Sequence, residues 1–241
     1  LIKEEHASFT LPTSLRPLLH NNHLTHHDKL TLSRALIHLS TQSHHHPDSR
    51  SAEDLLTSLA RQSKRVLNIL NILLRTTTYC ASPHILQATT AHLQLKRSIR
   101  YGVLYLDGGW QSLIDALLAR INKNPNISLK TKTKATILES TPTHHILTTQ
   151  HQERIHTTHL ILAIPPHKAA KILPPNTLNL DALTPTKSAC IDLLLKPRPH
   201  RPTSVYGLSS PFYMSNHSVA AHFHTHPTIN TPHHVVHAAK Y

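Results

Sequence analysis

The sequence predicts an α/β chain, an α+β piece with helices first and sheet last, and three observations carry that prediction. Apolar residues recur at helical spacing through the first hundred of its 241 positions. From about residue 127 onward the pattern changes to short runs with turn residues between them. Between the two lies Tyr101 to Leu118, which reads as an extended run (Val103 to Leu106), a glycine doublet (Gly108 and Gly109) and the start of a helix through Leu113, Ile114, Leu117, Leu118 and Ile121. Three of only four glycines fall in that stretch. Glycine allows positive φ and close backbone approach, so a cluster in so glycine-poor a chain marks a place the fold needs.

Residues 1–27, with Pro12 and Pro17, read as loop. Asp28 is placed to cap a helix through Leu30, Leu32, Ala35, Leu36 and Leu39. Residues 41–50 are a polar connection. Ser51 and Asp54 have capping-box spacing, and one long helix is expected after them, through Leu55, Leu59, Val66, Leu70 and Leu73. Pro83 suits the first turn of a third helix ending near Arg97. After the glycine doublet come a short strand, Ile127 to Leu129, and a meander at 133–139, 144–150 and 153–157. Leu160 to Ile164 is a continuous apolar run, as in a strand buried on both faces, stopped by Pro165 and Pro166. A short helix, Lys168 to Leu173, and a proline-rich crossing at 174–186 lead to strands at 189–195, 204–208, 212–215 and 233–239.

Composition narrows the function. The formal charge is +13 with His neutral. The Lys and Arg residues are scattered, and no basic run alternates with aromatics, so nucleic-acid binding is not expected, while peripheral contact with an anionic membrane stays open. Codons poor in guanine account for much of the bias, the 25 histidines included. The longest apolar run, Val66 to Leu74, is too short to span a bilayer. Cys80 and Cys190 stand alone, which fits a reducing, cytoplasmic setting or buried thiols. Only 12 acidic residues are present, which disfavours hydrolases that need paired carboxylates. The start at Leu1 and the end at Tyr241 read as those of an internal piece of a longer protein.

Imidazoles are the remaining candidates. His222, His224 and His226 share a face if extended, and His44 to His46 form a triplet. Histidine doublets recur throughout the chain, so decoration of loops is the simpler reading and no metal site is assigned. His217 and His237 are better placed for function, although a hydrogen-bonded sheet histidine is the plainer role for each.

The order of these motifs resembles a family. Tyr-x-x-Gly-Gly-Trp-x-x-Leu at Tyr105 to Leu113, then a meander, then Leu-Ile-Leu-Ala-Ile-Pro-Pro at Leu160 to Pro166, is similar to the flavin-containing amine oxidase and phytoene desaturase superfamily. The tail, Phe212 to Ser218 and Val235 to Tyr241, is similar to bacterial FAD- or NAD(P)/FAD-dependent oxidoreductases. The resemblance covers roughly residues 60–241 and implies a fold: a mainly helical cap at 1–100, the returning half of a partial FAD-binding, Rossmann-like domain with its β-meander at 101–180, and part of a mixed substrate-domain sheet at 181–241. It implies FAD as cofactor, with Gly108, Gly109, Trp110, Lys134, Ala135, Ala163, Ile164 and Pro165 on the cofactor side. It further implies hydride removal from an apolar or amine-like small molecule, with the helix around Val66 to Leu74 lining the cavity. No catalytic residue follows from it. The departure is the Gly-x-Gly-x-x-Gly phosphate turn, which four glycines cannot supply, so the chain alone is expected to be inactive. The alternative is a non-enzymatic, histidine-rich interaction or metal-binding protein derived from a decayed flavoprotein.

Overall fold

The structure is a computed structural model that describes residues 2–3, 8–9, 18, 20–42, 50–181, 183–196, 204–208, 210–219 and 234–241. The chain forms two compact units. One comprises Leu1–Ile114 with Thr186–Tyr241, and the other Asp115–Pro185. The helical first region and the final sheet region thus share one unit.

In the first unit, helix α1 (His26–Thr41) is capped one turn earlier than Asp28: Thr25 is the N-cap, and Asp28 is the third residue of the capping box. The Asp28 backbone N–H donates to Thr25 Oγ1 (3.1 Å), and the Thr25 N–H donates back to Asp28 Oδ2 (3.0 Å). The box expected at Ser51 and Asp54 opens helix α2 (Ala52–Ala60). The single long helix is instead two. Arg61 and Gln62 take left-handed φ values of 46° and 69°, and Ser63 starts α3 (Lys64–Thr78) by accepting from the Val66 N–H at 3.1 Å. Ser63 Oγ also donates to Asp28 Oδ1 (2.6 Å), which ties α3 to the start of α1. Pro83 lies in a separate 3-10 turn, Pro83–Ile85, before α4 (Ala88–Tyr101).

These four helices enclose the core. Leu32, Leu39, Leu56, Ile69, Leu70, Ile72, Leu74 and Leu95 are each no more than 1% exposed. Tyr206 from the sheet and Leu208 just after its strand pack on the same cluster, and Arg75 Nη2 of α3 donates to the Gly207 carbonyl (2.9 Å). The sheet has six strands in the order β2 (Ser8–Phe9), β1 (Ile2–Lys3), β7 (Ser204–Gly207), β8 (Phe212–Asn216), β9 (His234–Lys240), β6 (Ala189–Leu195). Residues 2–3 and 8–9 were expected as loop but supply two strands, and β1 pairs parallel with β7, so the sheet is mixed.

In the second unit, β3 (Ala135–Ser140), β4 (His145–Thr149) and β5 (Arg154–Thr157) form the antiparallel meander the sequence predicts. Two expectations fail. Ile127 to Leu129 makes no strand, and Leu160 to Ile164 is neither a strand nor buried: Ile161 is 91% exposed. Val103 to Leu106 in the first unit likewise joins no sheet, with Leu104 at 92%. An apolar run becomes a buried strand only when neighbours supply hydrogen bonds and two covering layers, and no described strand pairs with these. The predicted helix at 168–173 is one turn, α6 (Pro166–Ala169), held by Lys168 and Ala169 N–H groups donating to the Pro165 carbonyl. Helix α5 (Gly109–Ile121) runs from the first unit into the second and buries none of its residues.

Candidate functional site

Sheet register builds the site. Residues directly opposite on neighbouring strands share a face, and residues two apart on one strand share it too. One row runs Ser204, Ser215, His237, Asp192 across β7, β8, β9 and β6. The adjacent row runs Tyr206, Tyr213, Ala239, Cys190. Members of both rows form one wall of a cavity of about 750 Å³ within the first unit. The last turns of α3 close it with Leu73, Thr76 and Thr77, followed by Tyr79. The extended residues Val103 to Leu106 and the doublet's Gly109 and Trp110 complete it. The α3 apolar stretch therefore lines the cavity only through Leu73: Val66, Ile69, Leu70, Ile72 and Leu74 are committed to the core.

The lining is aromatic and uncharged. Five of the chain's six tyrosines and its single tryptophan are on it, in a protein with 4% aromatic residues. No Lys, Arg, Asp or Glu is among the described lining residues. Tyr206 and Tyr213 lie 5.3 Å apart between ring centroids, Tyr79 and Tyr241 5.9 Å. Burial, then Tyr213, pushes the Tyr105 phenol up to about 12. Burial raises Tyr206 and Tyr241 as well, so these hydroxyls are neutral donors and acceptors at physiological pH.

The two tail histidines come together here. His217 and His237 stack at 5.2 Å and 20°, and the edge of Tyr105 meets His217 at 5.1 Å. His237 Nδ1 is 2.7 Å from Asp192 Oδ1. An ionised carboxylate only accepts, so Nδ1–H is the donor and Nε2 carries the lone pair of the neutral ring. Burial, and then the neighbouring His237, lower the His217 pKa.

The residues expected on the cofactor side divide between the units. Gly108 and Gly109 have φ of 77° and 72°, which confirms the need for glycine at the turn into α5. Trp110, 76% exposed, stands with Gly109 at the cavity. In the second unit Lys134 is exposed, its carbonyl accepting from the Gln150 N–H, and the half-buried Ala135 opens β3. Ala163, Ile164 and Pro165 lie on an exposed segment. These residues do not by themselves fit a dinucleotide. A pyrophosphate needs unspent backbone N–H groups at a helix start. The Gly109 N–H is already donated to the Leu106 carbonyl (2.9 Å), and α6 is a single turn preceded and opened by prolines, which have no N–H.

Sequence reasoning found His217, His237 and the doublet but missed Tyr79, Tyr206, Tyr213, Tyr241, Asp192, Ser204 and Ser215. The one available signal was alternation within β8, where Tyr213 and Ser215 face opposite to Phe212 and Met214. Among the described residues no group of three or more His, Cys, Asp or Glu could hold a metal. The motifs at 44–46 and 222–226 lie outside the described residues. Cys80 is buried and Cys190 exposed, and no described helix is long and apolar enough to cross a membrane.

No family model matches the sequence, and no curated protein is similar to it. Solved structures are. Putrescine oxidase bound to putrescine matches with a TM-score of 0.67 at 11% identity, over 90% of this chain and 53% of that one. A double mutant of the same enzyme with redesigned cofactor binding matches at 0.66. A candidate protoporphyrinogen oxidase from Exiguobacterium sp. 255-15 matches at 0.57 and 14% identity, over 98% of this chain and 55% of that one. The chain spans about half the length of these structures, and over that half it shares their fold.

Proposed function

We propose that this chain is the substrate-binding part of an FAD-dependent oxidoreductase, and that the tyrosine-lined cavity holds the small molecule from which hydride is removed. The observation that carries the reading is the cavity itself: an aromatic-lined cavity without Lys, Arg, Asp or Glu on the sheet face of a fold shared with two oxidases. Its volume and apolar lining suit one small organic molecule, with hydroxyls and two imidazoles as the few polar groups that set orientation. FAD supplies the two-electron chemistry when bound, and this chain's residues place the substrate. A phosphate-binding glycine turn is not supplied at Gly109, whose N–H is donated to Leu106, nor at the proline-opened α6.

The test is the absorption spectrum of the longest natural product that contains these residues. Flavin bands that bleach on adding an apolar amine or alcohol without oxygen support the reading. A colourless protein that retains zinc or copper after dialysis contradicts it and favours a histidine-based metal-binding role.

A further inference from the structure

Asp192 and His237 are 45 residues apart in sequence and directly opposite in the β6–β9 ladder. Asp192 is largely exposed, with its side chain 67% accessible, whereas that of His237 is 17% accessible and lines the cavity. A carboxylate at the rim thus holds an imidazole in the wall. Three groups restrict that ring. Asp192 takes Nδ1, the His217 ring stacks on one face, and Tyr213 lies 6.3 Å away. Among the described residues the hydrogen bond of the ring is the one to Asp192, so Nε2 is left as an oriented acceptor. Around it are phenols and Ser215, all of which can donate as well as accept.

We propose that His237, positioned by Asp192, is the specificity-determining acceptor of this cavity, selecting ligands that present an N–H or O–H donor on an apolar body. The inference rests on the cavity being the ligand site and goes beyond that reading in naming the atom that reads the ligand's head. A ligand with only acceptors leaves Nε2 desolvated and unmatched, which costs more than the hydrogen bond gains.

The probes are 1-octanol and its methyl ether, which share an apolar body and differ in the donor. The single tryptophan, Trp110, lines the cavity and reports binding by fluorescence in the 241-residue chain. At pH 7.5 the alcohol is expected to bind about threefold to tenfold more tightly than the ether, the span of one net hydrogen bond. His237→Phe keeps a ring in place and removes the preference while still binding the ether. Asp192→Ala, at an exposed position, weakens the preference without abolishing binding. Equal affinity of alcohol and ether for the wild-type chain overturns the assignment of His237 while leaving the cavity as a binding site. Failure of both probes to bind overturns the cavity reading and this inference together.

Discussion

Helices α3 and α5 are similar in length and both rich in leucine and isoleucine, yet they end in opposite states. Helix α3 buries Val66, Ile69, Leu70, Ile72 and Leu74. Helix α5 buries nothing, and Leu113, Ile114 and Leu117 are 40%, 47% and 52% exposed. The same contrast separates the whole helical core from the 115–185 unit, where among the described residues only Leu138, Thr148, Thr149 and Ala169 are buried. Apolar character states what a segment would gain by being covered, and the neighbours decide whether it is. The helical core of the first unit is covered by neighbours, and the 115–185 unit covers few of its apolar residues.

Substitutions that strike the two regions should therefore differ in size. The largest effect is expected for Leu70→Ala, which empties a fully enclosed site in the helical core and should cost about 2–5 kcal/mol of unfolding free energy in a urea titration. A loss below about 1 kcal/mol would mean that the core is not packed as described. Gly109→Val acts at the turn between the regions. A β-branched residue at φ of 72° should cost about 1–3 kcal/mol, read as a lower melting temperature and weaker helical circular dichroism. Unchanged values would show that the turn adjusts without strain.

Asp28→Asn tests the tie between α1 and α3. Burial works to raise the Asp28 pKa, but hydrogen bonds from Ser63 and Thr25 outweigh it and the net shift is downward. A carboxylate with a depressed folded-state pKa stabilises above its unfolded value, about 3.9, and that contribution is lost as pH falls through the lower folded value. The variant should lose roughly 1 kcal/mol at neutral pH and be less acid-sensitive than the wild type in that low window. An unchanged acid-unfolding midpoint would remove Asp28 from the account. The smallest effect is expected for Leu117→Ala, half-exposed on α5, within about 0.5 kcal/mol of wild type. A loss comparable to that at Leu70 would erase the contrast between the two helices.

Legibility in the sequence followed the same division. Strand β6 falls at the predicted 189–195, the meander within a residue or two, and the Ser51 capping box as spaced, because each is decided by local pattern. The break between α2 and α3 was hidden, since Arg61 and Gln62 adopt left-handed φ without a glycine or proline to announce it. Leu160 to Ile164 was misread because its apolarity describes a covered strand. The tyrosine wall and the Asp192–His237 pair were illegible for a different reason. Positions 192, 206, 213 and 237 meet through strand order and register, and 79, 105 and 241 join them from outside the strands, none of which local spacing encodes.

The most direct test of this division is to titrate FAD into the purified 241-residue chain and follow flavin fluorescence. The tyrosine-lined cavity lies within the first unit, whereas the Gly109 N–H is already donated to Leu106 and α6 opens with prolines, which have no N–H to give a pyrophosphate. The account predicts no saturable binding at micromolar FAD. Stoichiometric, submicromolar binding would contradict it and show that the residues present suffice for the cofactor.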